Sequence, residues 1–203
     1  MTSPQPPQLK ITYFPIPVPA VLARLALTYG GIEFEDERIT SSVWSERKDT
    51  VPLGLLPVLE IGNDVYVQSM AIARYAGRVS GLYPIDAIQA LKVDTFLETL
   101  VEILNKCMEI TSAKDTVNQR EKRVQALRDF LPKTFAFMEE GAKGKYVLGD
   151  QVSLADLFVF NFVSNVVVKV FPEFSLRSYP KLIQIVQAVK EIPRIAAYLA
   201  AHA

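Results

Sequence analysis

Within Pro52 to Tyr75, PLGLLPVLEIGNDVYVQSMAIARY, a proline leads a strand, two residues turn it back, and a capped helix follows at once. Such a segment must form a hairpin that delivers the chain straight into a helix start, so it dictates a small sheet with a helix N-terminus at one end. Val58, Leu59 and Ile61 follow Pro57 with the spacing of a strand. Gly62-Asn63 supplies the positive-φ residues of a two-residue turn, and Val65 and Val67 alternate on the return. Gln68-Ser69 then opens the helix, with Ser69 as its N-cap. The free N–H groups of that first turn, with the positive end of the helix dipole, suit a carboxylate. A cis Leu56–Pro57 bond is expected, because only X-Pro bonds adopt cis cheaply. It would turn the Leu56 backbone groups away from the sheet and toward a peptide-like ligand.

Upstream, residues 9–14 alternate as a strand, and a loop with Pro15, Pro17 and Pro19 leads into a helix marked by Val21, Leu22, Leu25 and Ala26. Pro19 fits the first turn of that helix, where its missing N–H costs nothing. Gly30-Gly31 ends the helix, and Ile32 to Ile39 reads as the next strand. The order is βαβαββα, a thioredoxin-like mixed sheet over residues 9–80. A linker at 81–86 follows, and residues 87–203 form an all-helical domain with amphipathic patterns at 87–111 and 118–140, a buried helix from 153, and shorter helices opened by Pro180 and Pro193. The fold class is therefore α/β plus all-α. Ser153-Leu154-Ala155-Asp156 is a capping box, in which the Ser153 side chain accepts from the Asp156 N–H and Asp156 reaches back to the Ser153 N–H. Its role is structural.

Composition narrows the chemistry. Lys plus Arg equals Asp plus Glu at 22 each, so no net field favours nucleic acid or an anionic membrane. The stretch from Val152 to Phe171 approaches spanning length, but Asp156, Asn161, Asn165 and Lys169 interrupt it, as in a buried core helix. The start MTSPQPPQ has neither the basic nor the apolar region of a signal peptide, so a cytoplasmic protein with a short frayed tail is expected. Cys107 is the only cysteine, which excludes an internal disulfide and a CxxC centre. His202, the only histidine, sits in the terminal tail and cannot anchor a triad or a metal cluster. Chemistry must then rest on tyrosine, carboxylates, lysine, arginine, backbone groups or a cofactor.

Taken together, ITYF (Ile11 to Phe14), GGIEFEDERI, Trp44, Lys48, PLGLLPVLEI, QSMAIARY, LGDQVSLADLFVF and the terminal PKL and EIPRIAAYL segments resemble the glutathione transferase superfamily, sigma-like class, over nearly the whole chain. On residue type alone Tyr13 is a strand-end aromatic that packs on the core. The resemblance makes it the catalytic hydroxyl, a phenol that donates a hydrogen bond to the glutathione sulfur and stabilises the thiolate of a thiol whose pKa is ordinarily ~8.5. It also implies a glutathione site at Phe14, Trp44, Lys48, Leu56, Pro57, Gln68 and Ser69. Trp44 with Lys48 would hold the glycyl carboxylate, the Leu56 backbone the cysteinyl unit, and Gln68 with Ser69 the γ-glutamyl carboxylate. Counting eight residues on from Asp94 of the Val93-Asp94 pair gives Glu102, which the resemblance assigns to the γ-glutamyl amine of the neighbouring subunit of a homodimer; otherwise it is an acid on a solvated helix face. Leu104, Phe158 and Phe162 would line the side that takes an apolar electrophile. Val101 stands where some sigma members have an interfacial metal-binding acid, so no metal is expected.

Two departures bear on activity. Many sigma members have an arginine six residues after the catalytic tyrosine, where this chain has Pro19, so a cation that favours the thiolate is missing from the loop. Leu55 replaces the Gln or Lys that many relatives place two residues before the proline. The expectation is a glutathione transferase using glutathione as co-substrate. Its alternatives are a glutathione-dependent isomerase or peroxidase, or a binding or structural protein like the lens crystallins of this class.

Overall fold

The computed structural model describes residues 8–16, 18–112 and 115–202, so Pro17 and most of the N-terminal tail lie outside it. The chain divides into two compact units: one holds the residues up to Leu82 together with the segment from Pro193 on, the other Tyr83 to Ile192.

In the first unit β1 (Leu9–Tyr13) is central. It pairs parallel with β2 (Glu35–Arg38) and antiparallel with β3 (Val58–Ile61), and β3 pairs antiparallel with β4 (Asp64–Tyr66). Helix α1 (Val21–Gly30) makes the crossover between the parallel pair, α2 (Ser41–Arg47) links β2 to β3 through two short 3-10 turns, and α3 (Ser69–Val79) follows β4. This is the βαβαββα order read from the sequence. Residues Leu22 to Leu27 of α1 are all buried, Arg24 among the apolar side chains. The helix ends at Gly31 in the left-handed conformation, φ 65°, with the Ile32 N–H returning to the Leu27 carbonyl at 3.0 Å. A Cβ at Gly31 would lie 2.6 Å from the Arg194 guanidinium, which would have to shift. Arg194 belongs to the last helix, α10 (Pro193–Ala201), whose Ile195 is fully buried and whose Arg194 donates to the Tyr29 carbonyl at 3.1 Å. The sequence reading groups residues 193–203 with the helical domain; α10 instead packs on α1.

Three local expectations need correction. Pro19 precedes α1 rather than entering its first turn, because Ala20 is the N-cap. In the hairpin only Gly62 has positive φ, at 60°, the arrangement of a turn with glycine in its first central position. Helix α3 begins one residue earlier than read: Gln68 is its N-cap and Ser69 its first residue.

The second unit is helical. Its longest helix, α4 (Ala87–Thr111), has the bounds its periodicity predicts, with Asp86 accepting from the Gln89 N–H at 2.9 Å as cap and Val93, Phe96, Leu97, Leu100, Ile103, Cys107 and Ile110 forming its buried stripe. Helix α5 (Thr116–Gln125) runs through a π-helical turn into α6 (Leu131–Gly141). Helix α7 (Leu154–Phe162) is buried at every position and opens on the expected capping box. Asp156 accepts from the Ser153 N–H at 2.8 Å, the Ser153 hydroxyl at 2.7 Å and the Val147 N–H at 2.7 Å. Burial pushes the Asp156 carboxyl up to about 6 against those bonds. A short α8 (Val168–Val170) and α9 (Pro180–Lys190) complete the unit. No helix among the described residues is long and apolar enough to cross a membrane.

Candidate functional site

The strand registers bring several candidate residues to one end of the sheet. Thr12 of β1 lies opposite Val58 of β3, and Leu59 opposite Tyr66 of β4. Pro57 directly precedes β3 at the end where Tyr13 closes β1, and Gln68 follows two residues after β4 leaves the sheet at that same end. On the other side Tyr13 pairs with Arg38, and the Ile39 N–H donates to the Tyr13 carbonyl at 3.0 Å. Arg38, Tyr13, Pro57 and Gln68 thus gather at one end of the sheet, where open α/β sheets place their ligands. The Leu56–Pro57 bond is cis, as expected.

Tyr13 is 7% exposed, and among the described residues nothing hydrogen-bonds its hydroxyl. Burial raises the pKa of this phenol, while the nearby Arg24 charge pulls it down. A protonated phenol with an unused O–H is a donor waiting for an acceptor. The half-buried Phe14 ring packs against it at 5.4 Å between centroids.

Between β4 and α3, Gln68 has φ 79°, a conformation that costs a non-glycine residue free energy. Its side chain makes no capping hydrogen bond. The first bond of the α3 ladder runs from the Ile72 N–H to the Gln68 carbonyl at 3.0 Å, so the N–H groups of Ser69, Met70 and Ala71 stand outside the ladder. A vacant donor set at a helix N-terminus suits a carboxylate.

Trp44 and Leu56 come together as well. Both line a cavity of about 140 Å³ between α2 and the sheet, with Thr12 and Val58 in its wall. Trp44 is half-buried on α2, and Lys48, exposed just beyond it, lays its aliphatic stem across Gly54, 3.2 Å from where a Cβ would stand. The sheet face above this cavity is held by Glu37, which accepts from Thr12 Oγ1 at 2.6 Å and Arg47 Nη1 at 2.8 Å and pairs with Lys10 at 3.5 Å. The Arg47 bond leads in holding the Glu37 carboxyl down at about 2. A larger open groove of about 1350 Å³, lined by Leu9, Ile32, Phe34 and Tyr75 among others, lies at the opposite end of β1 and carries none of the candidate residues.

In the helical unit Glu102 is exposed and Leu104 half-buried on α4. Phe158 and Phe162 do not serve as expected. They are 3% and 0% exposed and meet edge to face at 6.1 Å inside the core, which leaves a ligand no surface to touch. The sequence reading also passed over Arg24, although a lone cation in the apolar run Leu22 to Leu27 was its visible signal.

Comparison with known proteins identifies the architecture. Residues 9–78 match the family model "Glutathione S-transferase, N-terminal domain", and residues 101–202 match "Glutathione S-transferase, C-terminal domain". The chain belongs to the glutathione S-transferase family. Its likeness within the family is sigma-like. It is 32% identical over 200 residues to S-crystallin SL11 of Nototodarus sloanii, covering 95% of this chain and 96% of that protein. It is 30% identical over 199 residues to the hematopoietic prostaglandin D synthase of Gallus gallus, covering 95% and 96%. Among solved structures, a Fasciola hepatica sigma class glutathione transferase superposes with a TM-score of 0.86 at 25% identity, covering 97% of each chain. Tyr13, the cis Leu56–Pro57 bond and the Gln68-Ser69 pair all fall within the stretch of this chain that matches the N-terminal family model. Its relatives differ in activity, so the family alone does not fix the reaction.

Proposed function

We propose that this protein binds reduced glutathione at the end of its sheet and activates the thiol as a thiolate for attack on an apolar electrophile. The observation that carries this reading is the Tyr13 hydroxyl, unpartnered among the described residues and at the same end of the sheet as Pro57, Gln68 and the N–H groups that stand outside the α3 ladder. Those N–H groups, with Gln68 and Ser69, take the γ-glutamyl carboxylate; the Leu56 backbone holds the cysteinyl unit; Trp44 and Lys48 take the glycyl carboxylate. Tyr13 then donates to sulfur, and a donor to an anion is worth about twice a neutral hydrogen bond. Leu104 contributes to the electrophile's side. The working form is a cytoplasmic homodimer in which Glu102 of the neighbour meets the γ-glutamyl amine, and the physiological task is detoxification.

Calorimetric titration with glutathione, followed by a conjugation assay with an aromatic halide, tests this. Binding together with conjugation supports it, and absence of glutathione binding overturns it. A second reading is favoured by the S-crystallin likeness and by Pro19 and Leu55: a protein that binds glutathione and turns over poorly. Binding without conjugation selects that reading, and isomerisation of an endoperoxide without conjugation selects an isomerase.

A further inference from the structure

Arg24 is 1% exposed, and its Nε donates to Asp36 Oδ1 at 2.7 Å. The other Asp36 oxygen accepts from Arg38 Nε at 2.9 Å, and Arg38 Nη2 reaches the Tyr198 hydroxyl of α10 at 3.3 Å. Two guanidinium groups therefore share one carboxylate, which leaves this cluster one positive charge in excess. Arg24 Nη2 is buried and has no hydrogen-bond partner among the described residues. A buried polar atom left unmet is rare enough to need a reason.

The registers give the direction in which that charge acts. Ile11 pairs with Asp36 and Tyr13 with Arg38, so strand alternation puts Tyr13, Asp36 and Arg38 on the one sheet face that Arg24 reaches from α1. Glu37, between those two, points to the other face and is taken by Thr12, Arg47 and Lys10. Other titratable or charged groups on elements packed against α1 are Arg194 and Tyr198 of α10, His202 just beyond it, and Arg74, Tyr75 and Arg78 of α3. These supply no acid besides Asp36. The Arg24 charge opposes the effect of burial on the Tyr13 phenol, and the Asp36 carboxylate to which Arg24 donates offsets part of that charge.

We propose that Arg24 is the cation of this site: held by Asp36, it projects its charge onto the Tyr13 hydroxyl and the sulfur that hydroxyl engages, the task for which the loop offers Pro19 instead of an arginine. Arg24 acts through Tyr13 and is a positioning residue in the electrostatic sense. The sulfur part rests on the glutathione reading; the tyrosine part does not.

The test is a tyrosinate absorbance titration of the ligand-free protein, in which each variant is compared with its own Tyr13→Phe counterpart so that only Tyr13 is read. Arg24→Met should move the Tyr13 titration to higher pH, and Asp36→Asn, which frees the cluster of its only carboxylate, should move it to lower pH. Arg24→Lys should stay near the parent. A merely structural role predicts that Arg24→Met and Asp36→Asn both destabilise the fold and shift Tyr13 alike or not at all, and that result overturns the proposal. If Arg24→Met does not fold, Asp36→Asn alone decides through the sign of its shift. With glutathione present, Arg24→Met should slow conjugation at neutral pH about tenfold, as removing a nearby opposite charge from a thiolate does, and Arg24→Lys should restore most of it. If glutathione never binds, the functional reading fails while the ligand-free titration still judges Arg24.

Discussion

Tyr13→Phe removes one O–H from a side chain whose ring otherwise stays packed against Phe14. Glutathione affinity should therefore change little, while conjugation should fall roughly ten- to a hundredfold, the worth of a hydrogen bond to a charged acceptor. Stopped-flow rates under saturating glutathione and a titration of the bound thiolate's absorbance would measure both, and unchanged turnover would move the activating group elsewhere. Tyr13 and Gln68 show how unevenly single positions can be read from sequence. The tyrosine's place at a strand end follows from alternation alone. The positive φ of Gln68 does not, because no rule of residue type leads a glutamine into that conformation, and residue type therefore points to Ser69 as the cap of α3, one residue late. Arg24 was legible in a weaker sense: its position inside an apolar run is visible, but only the fold reveals that Asp36 holds it on the tyrosine's face.

Capped, striped helices carry their own boundaries. Helix α4 has the ends its spacing predicts because Asp86 closes one end and an i, i+3, i+4 stripe runs along its length. Helix α7 has no such contrast: it is buried all round, so spacing sets no pocket face apart from the core, and Phe158 and Phe162 belong to the core. What α7 does announce is its start. Replacing Asp156 by Ala would leave the Ser153 and Val147 N–H groups unmet in the core and should cost about 2 kcal/mol or more in chemical denaturation. The titration adds a pH signature. With its pKa at about 6 in the folded chain against 3.8 ordinarily, Asp156 keeps its proton where the unfolded chain has lost it. That stabilising increment is fully present below about 3.8 and is lost as pH rises through about 6. The stability gap between the parent and Asp156→Asn should therefore widen in the parent's favour as pH falls across this window. Glu37, held down at about 2, works in the opposite sense, and its contribution is lost mainly below the window, as pH falls toward 2.

The assembled molecule is expected to be a two-fold dimer, in which each site borrows Glu102 from its neighbour. Sedimentation at micromolar concentration should give twice the chain mass of 22.7 kDa. Glu102→Gln should weaken glutathione binding through the amine and leave the thiol's pKa in place. A monomer that binds glutathione normally would refute this arrangement. Truncation after Ile192 gives a further expectation: loss of the buried Ile195 and of the Arg194 and Tyr198 bonds should lower the unfolding free energy by about 2 kcal/mol or more, as large losses from a core do. The same feature bears on biosynthesis. The sheet unit takes its last helix from beyond the 83–192 segment, so on the ribosome α1 emerges early and stays without α10 until that segment, about 110 residues long, has been made. At roughly 5–20 residues per second this is a wait on the order of ten seconds, during which the outer face of α1 is open to a chaperone or to another nascent chain.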